Sequence, residues 1–79
     1  MASVHHDLVH ELPEFRDQIH QLKTTNAHFS KLFDEYHQVN REVMRIEGEG
    51  IPIADEAFEQ LKKQRLSLKD ELYGMLKAS

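Results

Sequence analysis

Two stripes of apolar residues, separated by a short segment rich in glycine and proline, constrain the fold of this chain more than any other feature. Within each stripe the spacing alternates between three and four residues, which is the heptad pattern of a helix that packs along another helix. When the stripes are paired outward from the glycine-rich segment, the two residue numbers of every pair have the same sum. Antiparallel helices require this, because one chain rises while the other descends. The pairs are Ile46 with Phe58, Val43 with Leu61, Val39 with Arg65, Tyr36 with Leu68, Leu32 with Leu72, and Phe29 with Met75.

Capping and helix-breaking residues set the boundaries of the two helices. Asn26 can accept a hydrogen bond from the first free N–H groups of a helix, so a helix is predicted over residues 27–47. The two glycines and the proline within residues 48–54 place the tip of a hairpin there. The second helix is predicted over residues 55–77. The predicted fold class is therefore all-α, an antiparallel helical hairpin of the coiled-coil type.

A third, shorter apolar stripe precedes the hairpin and is interrupted by a proline. Proline is well tolerated in the first turn of a helix and is costly further in, so a short helix is predicted over residues 13–23. Residues 1–12 are then expected to form a frayed or short helical lead. Since the chain has no long linker, residues 1–79 are predicted to form a single small helical domain.

One layer of the predicted hairpin is polar, because Arg65 lies opposite Val39 in the pairing. We expect the arginine stem to pack in the seam while its guanidinium reaches solvent, where Glu42 or Glu35 could pair with it. A polar residue in such a seam usually fixes the register of the two helices. The alternative interpretation is that the guanidinium contacts an anion or a partner.

The composition excludes several classes of protein. The 79 residues include 14 acids, 10 bases and no cysteine, which excludes a disulfide framework and a cysteine-based zinc site. The net charge of −4 favours neither nucleic acid nor an anionic membrane as a partner. No apolar stretch approaches the length of a transmembrane helix, and the first residues lack the pattern of a signal peptide. We therefore expect a cytoplasmic protein without membrane attachment.

A second set of apolar residues lies off the main seam of the hairpin. Two helices cannot bury both sets, so the second must be covered by the N-terminal helix, by a second copy or by another protein. Self-pairing into a four-helix bundle is the most economical solution. The chain is thus predicted to be a homodimer that also offers a helix face to a protein partner. The predicted interaction face consists of Phe33, Met44, Leu66, Tyr73 and Leu76.

Four basic residues in the second long helix support an alternative function, association with nucleic acid or with the ribosome. Lys62, Lys63, Arg65 and Lys69 could contact phosphate groups or another anion. However, residues 55–77 carry five acids and five bases, and acids flank the cluster on both sides. A solvated helix face is therefore the interpretation we favour over a nucleic-acid interface.

Six histidines in so short a chain are the basis of a third hypothesis for the function, histidine-mediated metal binding. In one continuous helix His6, His10 and Glu14 would share a face, and two histidines with a carboxylate are a known zinc ligand set. Pro13 interrupts that helix, so His6 and His10 are weak candidates, and no metal or other cofactor is predicted. The sequence contains no phosphate-binding loop and no recognisable serine–histidine–aspartate order. No catalytic residues are assigned, and we expect no enzyme activity.

A resemblance to a known family lies in three stretches of the sequence, residues 15–23, 26–37 and 62–72. Together they resemble the YdcH-like family of small bacterial proteins, which is grouped as a domain of unknown function. The resemblance covers about residues 13–77. It implies a bacterial, cytoplasmic, all-helical protein with a long hairpin, and it implies no activity. One departure is Ala27, which stands where such proteins often have proline.

Overall fold

The computed structural model describes residues 8–78, and these residues form helices and no strand. The N-terminal part consists of a one-turn helix α1 (Leu8–Glu11), a 3₁₀ turn (Pro13–Phe15) and a longer helix α2 (Arg16–Thr25). A helix therefore does run through most of the region in which one was predicted. It starts later than expected, and a separate turn of helix precedes it.

The proline explains why the N-terminal part is divided. A residue that precedes proline is pushed out of the helical region of backbone space, and Leu12 accordingly has φ −131° and ψ 64°. Pro13 then begins a tight 3₁₀ turn, so the regular helix begins only at Arg16. It ends at Thr25, two residues beyond the predicted limit of Lys23.

Two long helices, α3 (Ala27–Glu49) and α4 (Asp55–Ala78), form an antiparallel hairpin. At 1.5 Å per residue each helix is about 35 Å long. These observations confirm the predicted all-α class with a helical hairpin. None of the helices within residues 8–78 is both long enough and apolar enough to span a membrane.

A single extended residue, Asn26, joins α2 to α3. Its backbone has φ −130° and ψ 109°, and its Oδ1 accepts a hydrogen bond of 3.0 Å from the N–H of Phe29. The side chain thereby satisfies one of the N–H groups that have no partner in the first turn of a helix. The predicted N-cap is confirmed, and α3 begins at the predicted residue.

The tip of the hairpin is shorter than predicted. Helix α3 continues to Glu49, and Gly50 ends it with a left-handed backbone conformation, φ 63° and ψ 36°. The N–H groups of Gly50 and Ile51 both donate to the carbonyl of Ile46, and this pattern is typical of a glycine-terminated helix. The connection therefore occupies residues 50–54. Gly48, which was predicted to lie in the tip, remains helical.

Burial differs between the two halves of the hairpin. We call residues 27–38 and 66–78, together with α1 and α2, the base half, and residues 39–65 the tip half. In the tip half α3 buries Asn40, Val43 and Ile46, but α4 has no fully buried residue. In the base half all four helices contribute to one hydrophobic core. Its buried members are Leu8, Leu12, Ile19, Phe29, Leu32, Tyr36, Leu68, Leu72 and Leu76.

The N-terminal elements cover part of the second apolar set. Leu76 is only 1% exposed and belongs to the core, so its predicted place on an exposed interaction face is wrong. The reason is that α1 and α2 add a third layer to the base half, and the heptad pattern of the hairpin does not reveal that layer. Tyr73 stays 39% exposed, and its ring meets that of Phe15 edge-on at 5.7 Å between centroids.

Candidate interaction site on helix α4

A cavity of about 290 Å³ lies between the hairpin and α1, close to the boundary between the two halves. We call it the α4 cavity, because one side of α4 supplies most of its charged residues. That side consists of residues three, four and seven positions apart, which share a face of a helix. The lining residues are Glu11, Tyr36, Asn40, Lys62, Arg65, Leu66 and Lys69.

The α4 cavity collects three of the four predicted basic residues. Lys62, Arg65 and Lys69 line it together, whereas Lys63 lies on a different side of the helix. Lys63 instead lines a shallow groove that also contains Asp70 and Glu71. The predicted four-residue basic cluster is therefore divided, because adjacent helical residues point about 100° apart.

Arg65 is held by a buried asparagine. Its Nη1 donates a hydrogen bond of 3.0 Å to Oδ1 of Asn40, whose side chain is fully buried on α3. Among the described residues neither Glu42 nor Glu35 forms an ion pair with this guanidinium, so that expectation is wrong. Glu42 instead accepts a bond of 3.2 Å from Arg45 on its own helix. Sequence reasoning missed Asn40. The sequence does contain an indication of it, because Asn40 directly follows Val39, the residue paired with Arg65. A buried asparagine in such a seam commonly fixes the register of the helices.

The two lysines of the α4 cavity each face a carboxylate. Lys69 Nζ lies 2.7 Å from Oε1 of Glu11, a contact that links α4 to α1. Lys62 Nζ lies 3.3 Å from Oε2 of Glu59 and 4.8 Å from the ring centroid of Phe58. Both lysine charges are therefore balanced within the chain, and this weakens the predicted cluster as a strip for binding phosphates.

The predicted interaction face does not form one continuous surface. Leu66 is 58% exposed, at the rim of the α4 cavity, and Tyr73 lies two turns further along the same side of α4. Phe33 is half-buried against the core, with Lys23 Nζ 4.4 Å from its ring centroid. Met44 is half-buried on α3 in the tip half. With Leu76 in the core, Leu66 and Tyr73 are the large apolar residues that stay exposed among those described.

A hydrogen bond to a histidine ring of α3 also attaches α1 to the hairpin. The N–H of Leu8 donates to Nε2 of His37 over 3.1 Å, and Nδ1 of the same ring lies 2.8 Å from the carbonyl oxygen of Phe33. The first bond requires Nε2 to be unprotonated, so Nδ1 carries the proton and donates to Phe33. His37 thus has a structural role that the sequence did not indicate.

The structure brings no set of metal ligands together in the part of the chain that it describes, since no group of three or more histidine, cysteine or acidic side chains is suitably placed. His10 and Glu14 are both exposed. His6 lies outside the described residues.

These features describe a small helical-hairpin protein with a mixed basic and apolar cavity beside its last helix. The chain belongs to the family described as "Protein of unknown function (DUF465)", which matches residues 29–76. It is similar to the "Uncharacterized protein YdcH" of Escherichia coli (strain K12) and to that of Shigella flexneri. Each is 39% identical over 64 residues, which is 81% of this chain and 86% of the relative. No solved structure matches the chain. The predicted resemblance to YdcH-like proteins is confirmed.

Proposed function

We propose that this protein is a helical interaction module that binds a protein partner through α4. The binding surface would consist of Leu66, Tyr73 and the adjoining α4 cavity. The observation that carries the proposal is the 58% exposure of Leu66 at the rim of a cavity lined by three cations. An apolar side chain that borders polar, recessed groups matches the usual composition of protein interfaces, in which arginine and tyrosine are also enriched.

A second copy of the chain is a specific candidate for the partner. Leu66 is a large apolar residue left 58% exposed on α4, so two copies of this helix could pack antiparallel about a two-fold axis at Leu66. Lys62 and Asp70 are each four positions from Leu66, so that arrangement places opposite charges across the axis. This dimer would use only part of the face predicted from the sequence, because Leu76 lies in the core.

Nucleic acid is a weaker candidate. Lys62 and Lys69 are paired with carboxylates, Lys63 lies on another side of the helix, and acids equal bases over residues 55–77. Sequence-independent binding to nucleic acid depends on several cations that release counterions from phosphates. Among the described residues that line the α4 cavity, Arg65 is the one cation that is not paired with a carboxylate. A single such cation is too few for binding of this kind.

A pair of matched variants tests the proposal. Leu66→Glu and Gln64→Glu each add one negative charge to an exposed position of α4, but only the first changes the proposed surface. Each chain is used to capture binding proteins from a bacterial lysate, with and without nuclease, and is also examined by sedimentation velocity. Circular dichroism verifies that both variants keep their helix content.

We expect a discrete protein, or a second copy, to bind the unaltered chain and Gln64→Glu, and to bind Leu66→Glu at least about tenfold more weakly. Loss of that interaction after nuclease treatment would favour the nucleic-acid alternative. Equal capture and equal sedimentation of all three chains would overturn the proposal.

A further inference from the structure

The charges in the α4 cavity are not fully balanced. Lys62 is paired with Glu59, and Lys69 with Glu11. The hydrogen bond of Arg65 is to the neutral amide of Asn40. No carboxylate within residues 8–78 lies within ion-pair distance of its guanidinium. Arg65 is half-buried, so water shields its charge less well than it would on an open helix face. The cavity therefore keeps one positive charge that the described residues do not neutralise.

The guanidinium of Arg65 is oriented before any ligand arrives. Nη1 is bonded to Asn40, which is fully buried and so has a fixed position. A guanidinium has five N–H donors, and this bond uses one of them. A planar group that is held on one side and open on the other suits a carboxylate or phosphate, both of which it can bind through two parallel hydrogen bonds.

The cavity already contains one carboxylate. Glu11 comes from α1, reaches the cavity and lies 2.7 Å from Lys69. This internal contact shows that a carboxylate fits in the cavity beside a cation of α4. Leu66 at the rim adds an apolar contact, so the ligand that fits best carries an acidic group beside an apolar one. An acidic side chain on an amphipathic segment of a protein has this combination.

We propose that the α4 cavity is a carboxylate-binding site, with Arg65 as the principal donor and Asn40 as the residue that positions it. The carboxylate belongs to an acidic side chain of the protein partner. Only this assignment of the source rests on the function proposed above, because affinity for a free carboxylate does not depend on it.

The site itself is tested with citrate, a small tricarboxylate. The thermal unfolding midpoint is measured in millimolar citrate and in sodium chloride of equal ionic strength. A ligand that binds only the folded chain raises the midpoint. We expect citrate to raise it by a few degrees for the unaltered chain and for Lys63→Gln, and not for Arg65→Gln. Lys63→Gln is the matched control, because it removes the same charge from the same helix outside the cavity.

Arg65→Lys separates the geometry of the guanidinium from its charge. It keeps the positive charge but loses the planar fork, so its affinity for citrate, measured by NMR titration, should fall about tenfold. An equal citrate effect in the unaltered chain and in Arg65→Gln, or no effect in either, would overturn the proposal.

The source of the carboxylate is tested with a short amphipathic peptide that has glutamate and leucine at helical spacing, and with the same peptide carrying glutamine in place of glutamate. A preference for the glutamate peptide that disappears in Arg65→Gln supports a protein ligand. Citrate binding without such a preference overturns the assignment to a protein. If a captured partner is lost in Leu66→Glu but retained in Arg65→Gln, the proposed function stands and the carboxylate site fails.

Discussion

The base half and the tip half of the hairpin have the same heptad pattern but are buried to different extents. In the base half, α4 buries Leu68, Leu72 and Leu76 beneath a layer formed with α1 and α2. In the tip half, the corresponding residues of α4 include Phe58 and Leu61, and they are only half-buried. The difference shows that a heptad seam determines which residues face a neighbouring helix, while the presence of a third layer determines how far water is excluded.

The candidate site lies where the third layer ends. Asn40 and Arg65 meet at the boundary between the halves, and Glu11 reaches the same cavity from α1. A boundary of this kind leaves polar groups partly shielded from water and still open on one side. This explains how the partly buried charges of Arg65 and Lys69 are accommodated there.

The largest difference in stability between the halves is expected when a phenylalanine is truncated in each of them. Phe29→Ala removes a side chain that is 0% exposed in the base half, and it should lower the free energy of unfolding by about 3–5 kcal/mol. Phe58→Ala removes a half-buried ring in the tip half and should cost about 1 kcal/mol. Urea unfolding followed by circular dichroism measures both.

A loss of that size could leave Phe29→Ala unfolded, so Phe29→Leu is measured beside it. It preserves most of the apolar volume and should cost about 1 kcal/mol. Equal losses for the two alanine variants would show that the halves do not differ in stability.

A smaller loss of stability is expected at the boundary between the two halves. Asn40→Ala should lower the free energy of unfolding by about 1–3 kcal/mol, because it leaves a half-buried guanidinium without its amide partner. Asn40 makes a further contact besides the bond to Arg65. A double-mutant cycle with Arg65→Ala therefore isolates the bond between them, whose coupling energy should be about 1.5–3 kcal/mol. A coupling near zero would mean that Asn40 does not position the guanidinium.

Two glycines of the tip half should respond with opposite signs. Gly50 has φ 63°, so Gly50→Ala should cost about 1–2 kcal/mol. Gly48 is helical, and Gly48→Ala should stabilise the protein by about 0.5–1 kcal/mol. A Cβ at either position meets no atom within 4 Å, so backbone conformation alone accounts for the difference. Thermal unfolding of both variants tests the sign, and the same sign for both would contradict the observed end of α3.

A local effect is expected at Asn26, the joint between α2 and α3. Asn26→Ala should cost about 1 kcal/mol because the N–H of Phe29 loses its acceptor. Asn26→Asp keeps an acceptor and should be close to neutral. Amide hydrogen exchange at Phe29, compared with exchange in the tip half, would show whether the loss is confined to the start of α3. Faster exchange throughout both halves would instead indicate a single cooperative unit.

The hairpin could be predicted from the sequence because local rules agree with one another. Asn26 caps α3 as its side chain suggests, and the pairing of the stripes places Arg65 within one residue of its actual partner Asn40. Heptad spacing indicates which face of a helix packs against its neighbour, and capping depends only on residues close in the chain, so both can be recognised from the sequence.

The site could be predicted only in part. Lys62, Arg65 and Lys69 come together because residues on one helix have fixed relative directions. The burial of Leu76, the contact of Glu11 with Lys69 and the bond from Leu8 to His37 all depend on where α1 docks. Such a docking position is set by contacts between residues far apart in the chain, and no local pattern encodes it.

The ion pair between Glu11 and Lys69 also has a consequence for the order of folding. It joins residues 58 positions apart, so it closes a loop that contains α2, α3 and most of α4. Closing a loop of that length costs chain entropy, and the cost is lowest once the intervening chain is already compact. We therefore expect the hairpin to form first and α1 to attach last, so that α1 is also the first element to detach when the protein begins to unfold.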